Sequence, residues 1–521
     1  MSVELGKETV RVSQVIGENT AQTIVENDII VPDTKPDVAN VLVLDGDVFI
    51  KNTECLQGKI NISGTINYKI LYLTDEAPKR VKSMESQSDF SYSMDFVNVR
   101  EGMSCRADCG IEYFDYNIIN GRKLNVKAIL NITAKAACED NIHIVSNVSN
   151  LEDVQVLEDN VKVNVYLGET ESDVAVNEAM EIPAGKPPVK EILLTGLKIT
   201  NAGYKVSDDK VAVNGMLNIS TMYIADNEEE NIQHMEHEVP FMQFIELPGL
   251  TDNSYCDMFC KIVDSNVEAA EDSDGELRFI NIGAGINIKI AGFNLQSFLT
   301  IKDAYSPRNI LNFEKSKFLN EYMMADENSP VNIKEILSVD DNEPHIEEVF
   351  NILSKPMLID YAVENNSLSV EGLVVNNVLY ISDNEEQPVC CMKKEIPFSQ
   401  KINLDTADEN ASYRIRLDVL HNSYSIVSPS EIEQRLIINV NVKAFGQNEV
   451  ALVDNVVENP VDESVLANQP SIVIYFAQPE DTLWNIAKKY YTTVDAIKAM
   501  NNMDSDHVAP GQQIFIPKRA S

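Results

Sequence analysis

This chain is short of tryptophan, histidine and positive charge: it has one Trp and six His in 521 residues, and 42 Lys and Arg against 82 Asp and Glu. The formal net charge of -40 repels phosphate backbones and anionic lipid, so nucleic acid is excluded as a partner and proteins are favoured. No stretch approaches about 18 uninterrupted apolar residues, the length a membrane-crossing helix needs, so no direct membrane insertion is expected. The opening MSVELGKETVRV lacks the apolar segment of a signal peptide. Without one, the eight cysteines are expected to be reduced thiols. The GxSxG, Walker A, HExxH and dinucleotide fingerprints are missing. A wall-hydrolase reading needs a paired acid-base carboxylate site in a cleft, and no segment stands apart as a catalytic domain. The chain therefore reads as non-enzymatic.

What is present is a repeat. The apolar fraction of 44% is that of a globular protein, and the length implies three or four domains. Gly64 opens GTINYKILYLTDE, Gly215 opens GMLNISTMYIADN and Gly372 opens GLVVNNVLYISDN, at separations of 151 and 157 residues. The same two offsets relate Tyr72, Tyr223 and Tyr380, then Asp75, Asp226 and Asp383, then Phe90, Phe241 and Phe398. They also relate Pro36, Pro187 and Pro344, each followed by an apolar triplet: Val38/Val41/Leu42, Val189/Ile192/Leu193 and Ile346/Val349/Phe350. A spacing of i, i+3, i+4 after Pro predicts a short helix in each copy. Around Gly64, Ile60, Ile62, Ile66, Tyr68, Ile70 and Tyr72 alternate with mostly polar residues, as in a long half-buried strand. Leu124, Val126, Ala128, Leu130 and Ile132 predict another, and Glu8–Ile16 and Asn160–Leu167 predict lead-in strands.

The fold class expected is mainly β: three tandem β-rich units, each with one short helix, at 1-150, 151-305 and 306-455. An acidic linker at 456-470 then leads to a small βααβ module at 471-518. Metal ligands are not expected, and neither are cofactors. Cys105 and Cys109 recur as Cys256 and Cys260 but become Tyr413 and Leu417 in the third copy, which marks core positions. Cys390 and Cys391 point to opposite strand faces. His234 and His237 sit on an extended segment and face apart. Asp272-Ser273-Asp274-Gly275 starts like a calcium loop but lacks the remaining ligands.

The last segment, IVIYFAQPEDTLWNIAKKYYTTVDAIKAMNNMDSDHVAPGQQIFIP, is organised differently. Ile472–Phe476 reads as a strand, and Asp481 or Thr482 as the N-cap of a helix carrying Leu483, Ile486, Ala487 and Tyr490. Thr492 and Asp495 form a capping box for a second helix with Val494, Ile497 and Met500. Pro510-Gly511 returns the chain to a strand with Ile514 and Ile516 on one face and Phe515 on the other. From Ser471 on there are five acids and five bases, so the whole acidic excess lies in residues 1-470.

This segment resembles a LysM domain, through Asp481-Thr482-Leu483-Trp484-x-Ile486-Ala487, Tyr490, Val494, Ile497, Asn501, Pro510-Gly511-Gln512 and Ile514-x-Ile516-Pro517. The resemblance implies binding of N-acetylglucosamine-containing glycans in a groove between two loops. Here those loops are Gln478, Pro479, Glu480, Asp481 and Thr482 facing Asn501, Val508, Pro510 and Gly511. Trp484 and Phe515 are the aromatic candidates beside them. The family usually has Gly where this chain has Glu480, which opposes glycan binding and favours a protein ligand.

The three repeats are similar to the SPOCS (DUF3794) repeats of SipL-type clostridial spore-coat morphogenetic proteins, which also end in LysM. That resemblance implies a scaffold in the mother-cell cytoplasm at the forespore surface and spore coat. It would bind the coat-basement ATPase, stage IV sporulation protein A, through LysM, recruit other spore-coat proteins, and self-associate. The second reading is a LysM adaptor on peptidoglycan or another N-acetylglucosamine glycan.

Overall fold

The computed structural model describes residues 3-150, 153-228, 230-340, 343-364, 366-384, 387, 389-404, 407-461 and 470-517. Each repeat is six antiparallel strands. In the first these are β1 (Glu4–Ile30), β2 (Val38–Leu56), β3 (Lys59–Thr74), β4 (Val81–Asp95), β5 (Ser104–Asn120) and β6 (Lys123–Ser149). The second holds β7 (Gln155–Glu181), β8 (Val189–Ser207), β9 (Lys210–Ala225), β10 (Ile232–Glu246), β11 (Tyr255–Glu271) and β12 (Leu277–Tyr305). The third holds β13 (Asn309–Ser338), β14 (Ile346–Glu364), β15 (Ser367–Ser382), β16 (Val389–Asn403), β17 (Ser412–Ser428) and β18 (Glu431–Pro460). Val456–Pro460, expected within the linker, thus end β18 opposite β13. Residues 462-469 lie outside the described residues.

Within a unit the second, third and fourth strands make one sheet, and the first, sixth and fifth make another. Their apolar faces enclose one core per unit, with Ile60, Ile62, Ile66, Leu124, Val126 and Leu130 among the residues of the first. The positions that recur in the sequence have paired roles. Gly64, Gly215 and Gly372 lie directly opposite Phe90, Phe241 and Phe398. Each ring covers its glycine so closely that a Cβ there would come within 2.7, 2.5 and 2.3 Å of it. Tyr72, Tyr223 and Tyr380 are fully buried. Their hydroxyls donate to the carbonyls of Pro36, Pro187 and Pro344 at 3.1, 3.0 and 3.1 Å. Each long central strand is thereby tied to the connection between the first and second strands of its unit.

The predicted short helix is not formed. All three triplets lie on strands β2, β8 and β14. Two of the three register shifts in each strand fall within the triplet, between Val38/Asn40 and Val41/Val43 in β2 and at the equivalent places in β8 and β14. A bulge adds one residue without a partner and so shifts the two-residue alternation by one. Val38 and Val41 consequently both face their own core, at a spacing of three that imitates a helix. The third member of each triplet, Leu42, Leu193 or Phe350, turns the other way, into a core shared by all three units.

That shared core closes the repeats into a ring. β4 contacts β8, β10 contacts β14, and β16 returns to β2. The first and last strands of each unit pair along their length and run on past the sandwich as two-stranded antiparallel ribbons. Val10, Val12, Ile142 and Ile144 meet Val163, Phe298, Phe318, Val450 and Leu452 in a second three-way core. Between the units, Arg106 donates to Asp257 at 2.7 Å and Arg414 lies 3.7 Å from the same carboxylate. All three occupy equivalent repeat positions. Burial alone would raise the Asp257 pKa, but Arg106, Arg414 and the nearby lysines hold it below the usual carboxylate range. No helix among the described residues is long and apolar enough to cross a membrane.

Candidate functional site: the C-terminal βααβ module

The module is β19 (Ile472–Phe476), α1 (Leu483–Lys489), α2 (Val494–Asn501) and β20 (Gln513–Pro517), with β19 and β20 antiparallel. Leu483, Ile486, Ala487, Ile497, Ile514 and Ile516 make its core. Thr482 caps α1, accepting from the Asn485 N–H at 3.1 Å. The capping box expected at Thr492 is displaced by one residue: Thr493 caps α2, accepting from Ala496 N–H, and Thr492 is buried.

Asp481 organises the first loop. Its carboxylate accepts the Gln478 N–H at 2.7 Å and the Tyr475 hydroxyl at 2.8 Å. These two bonds, the backbone one foremost, hold its pKa below the usual Asp range. Glu480 sits at φ 72°, in the left-handed region that favours glycine. The glycine usual in LysM domains at this point therefore has a backbone reason, and Glu480 takes the same conformation as a strained, exposed residue. Gln478, Pro479 and Thr482 are exposed as well.

The second loop is less as expected. Asn501 is a clamp within the module. Its amide donates to the Ile497 and Phe515 carbonyls at 2.8 and 2.7 Å, and its oxygen accepts the Phe515 N–H at 2.7 Å. Val508, expected at the groove, is 9% exposed and packs in the core. Pro510 and Gly511 are exposed, and Gly511 N–H donates to Ala477 O at 2.7 Å, which holds the two loops side by side. The geometry thus leaves Gln478, Pro479, Glu480, Thr482, Pro510 and Gly511 outward, while Asp481, Asn501 and Val508 shape the loops.

Trp484 meets the ring rather than solvent. Its indole N–H donates to Asp303 at 2.9 Å and its ring lies 4.9 Å from Tyr305, edge-on. Lys488 reaches the same carboxylate at 2.7 Å. The outer face of α1 is accordingly engaged with the end of β12.

Sequence reasoning turned Phe515 outward but missed the rest of the apolar face around it. Ile472, Ile474 and Phe476 are 49%, 54% and 57% exposed, and Phe515, opposite Ile474, is 39% exposed. The signal was the uninterrupted run IVIYF. In a two-stranded sheet covered on one side only, an all-apolar strand must turn half of its side chains outward. Lys489 stands 5.5 and 5.7 Å from the Tyr475 and Tyr490 ring centres.

The other candidates resolve into structure. Asp272 accepts the N–H groups of Asp274 and Glu276 at 2.9 and 3.0 Å, closing the β11–β12 turn. His234 shares its Nε2 with Ser220 and Asn351 at 2.9 and 3.1 Å, linking the second and third units. The glutamate 3.9 Å away would pair only with a protonated ring.

Three β-sandwich units closed in a ring, with a small βααβ module at the end of β12, define a tandem-repeat binding protein, with no catalytic constellation among the described residues. Family models agree: the SipL SPOCS domain matches residues 37-119, 188-270 and 345-427, and the LysM domain matches residues 475-517. Together they span more than half of the chain, which belongs to the SipL-type family of SPOCS repeats with a C-terminal LysM domain. It is a sporulation-associated protein built from non-catalytic binding domains. Each SPOCS match spans the second to fifth strands of its unit, leaving the long first and sixth strands outside. Among curated relatives, the probable endopeptidase p60 of Listeria grayi is 51% identical over 41 residues, 8% of each chain. That of Listeria welshimeri is 41% identical over 56 residues, 11% of this chain and 10% of its own. The chain thus covers only about a tenth of these relatives, within the LysM region. No solved structure matches it.

Proposed function

We propose that the chain is a non-enzymatic spore-coat morphogenetic scaffold, recruited to the forespore surface from the mother-cell cytoplasm. In this reading LysM binds the coat-basement ATPase, stage IV sporulation protein A, and the three units at 1-150, 151-305 and 306-455 present surfaces to other coat proteins. The observation that carries it is the strained, exposed Glu480 on the loop that follows β19, together with the exposed apolar side chains of Ile472, Ile474 and Phe476 on β19 and Phe515 on β20. An anion together with exposed apolar side chains suits a protein surface better than a neutral sugar. The test is capture of the ATPase from sporulating cells by the full chain and by the chain lacking residues 471-521. Undiminished capture by the shortened chain refutes the assignment.

A second reading is a glycan adaptor. It is favoured by the LysM match and by the outward loops at Gln478–Thr482 and Pro510-Gly511. Titration calorimetry of the full chain with N-acetylglucosamine oligomers separates the two. Tight, saturable heat puts the glycan first.

A further inference from the structure

Asp303 and Tyr305 lie at the end of β12, two residues apart and so on one face of the strand. Both are spent on LysM. Asp303 takes the Trp484 indole N–H at 2.9 Å and the Lys488 ammonium at 2.7 and 2.8 Å on its two oxygens. Tyr305 is 3% exposed and belongs to the LysM core. Its hydroxyl donates to the Thr492 carbonyl at 3.0 Å, and burial pushes the phenol pKa up. Charge-assisted bonds of this length are stronger than neutral ones, and an edge-on aromatic pair adds to them. The loop residues Pro479, Glu480, Pro510 and Gly511 meanwhile remain exposed.

We propose that Asp303 and Tyr305 are an intramolecular latch on the α1 face of LysM. A protein partner of that face must displace them with its own carboxylate and aromatic ring, carried on an extended segment. A ligand of the loop groove binds the latched module without displacing anything. Asp303 and Tyr305 occupy the α1 face whether the loop groove takes a protein or a glycan.

Trp484, the single tryptophan, reads the latch directly in the full chain. Acrylamide quenching of its fluorescence should be roughly twofold or more steeper in Asp303→Ala than in the wild type, with emission moved to the red, as the undocked population grows. Tyr305→Phe keeps the ring in the core and loses only the bond to Thr492, so it should fold and quench between the two. A peptide of residues 298-308, added to Asp303→Ala, should restore protection, and the same peptide with both key residues changed to Ala should not. N-acetylglucosamine oligomers should leave wild-type quenching unchanged. Equal quenching of wild type and Asp303→Ala overturns the latch. Protection failing with the unmodified peptide overturns the partner chemistry.

Discussion

Replacing Asn501 distinguishes a residue that binds ligand from one that builds the site. Asn501→Ala removes three hydrogen bonds and leaves the Phe515 N–H and carbonyl without a protein partner. At a net value of about 1 kcal/mol per bond, tempered by water reaching this half-exposed place, the loss is about 2-3 kcal/mol. A module of some fifty residues has about 3-7 kcal/mol in all at typical per-residue stability. The change therefore removes about a third or more of the margin, and at about 4-8 °C per kcal/mol the LysM transition should move down by about 8-24 °C. Trp484 fluorescence during heating of the full chain follows that transition. Asn501→Asp keeps the acceptor but turns both donated bonds into carboxylate against carbonyl. The folded state then raises the pKa of the new acid, so this variant alone should gain stability as pH falls toward about 4. If Asn501→Ala melts within a degree of the wild type but loses ligand, Asn501 is a contact residue and the clamp does not govern the loop.

Other perturbations test other parts of the molecule. Glu480→Gly releases a left-handed non-glycine residue, a gain of about 1 kcal/mol, so the LysM melting point should rise by several degrees. Calorimetry should also show stronger binding of N-acetylglucosamine oligomers; an unchanged melting point would refute the strain. Phe515→Ala and Glu480→Lys change exposed side chains and should leave melting nearly unaltered while weakening capture of the ATPase. Normal capture by both would exclude this face. Gly215→Ala should cost about 1-3 kcal/mol by driving a methyl into Phe241, and Phe241→Ala about 3-5 kcal/mol. The double variant should cost less than their sum, and additive urea midpoints would show that the two do not compete for one space. Burial, helped by Lys186, lowers the His234 pKa from 6.5 to about 4. The unfolded chain thus takes up the proton first, so stability is full above about pH 6.5 and falls as pH drops toward 4, by about 2 kcal/mol at pH 5. His234→Gln should flatten that acid limb in urea unfolding; an unchanged limb would place its origin elsewhere.

The long alternating strands and the βααβ module were legible in the sequence because each rests on local periodicity, and the repeat because its Gly, Tyr, Asp, Phe and Pro recur at fixed offsets. A strand buried on one face must alternate every two residues wherever its partners lie. The recurring Gly, Phe, Pro and Tyr were visible as a pattern too, although their pairing was not. Gly215 meets Phe241 only across a hairpin, and Tyr223 meets the Pro187 carbonyl only through the sheet. Where the backbone broke its period, the sequence misled. The bulges beside Val38 and Val41 gave a strand the spacing of a helix, because a bulge is set by the pairing of two strands rather than by one. The ring closure, the Arg106–Asp257–Arg414 cluster and the seating of Trp484 on Asp303 and Tyr305 depend on residues more than a hundred positions apart. Nothing in the local pattern around Trp484 distinguishes a core residue from one held at an interface. The tertiary structure decides it, by setting a carboxylate and a phenol from another unit against the outer face of its helix.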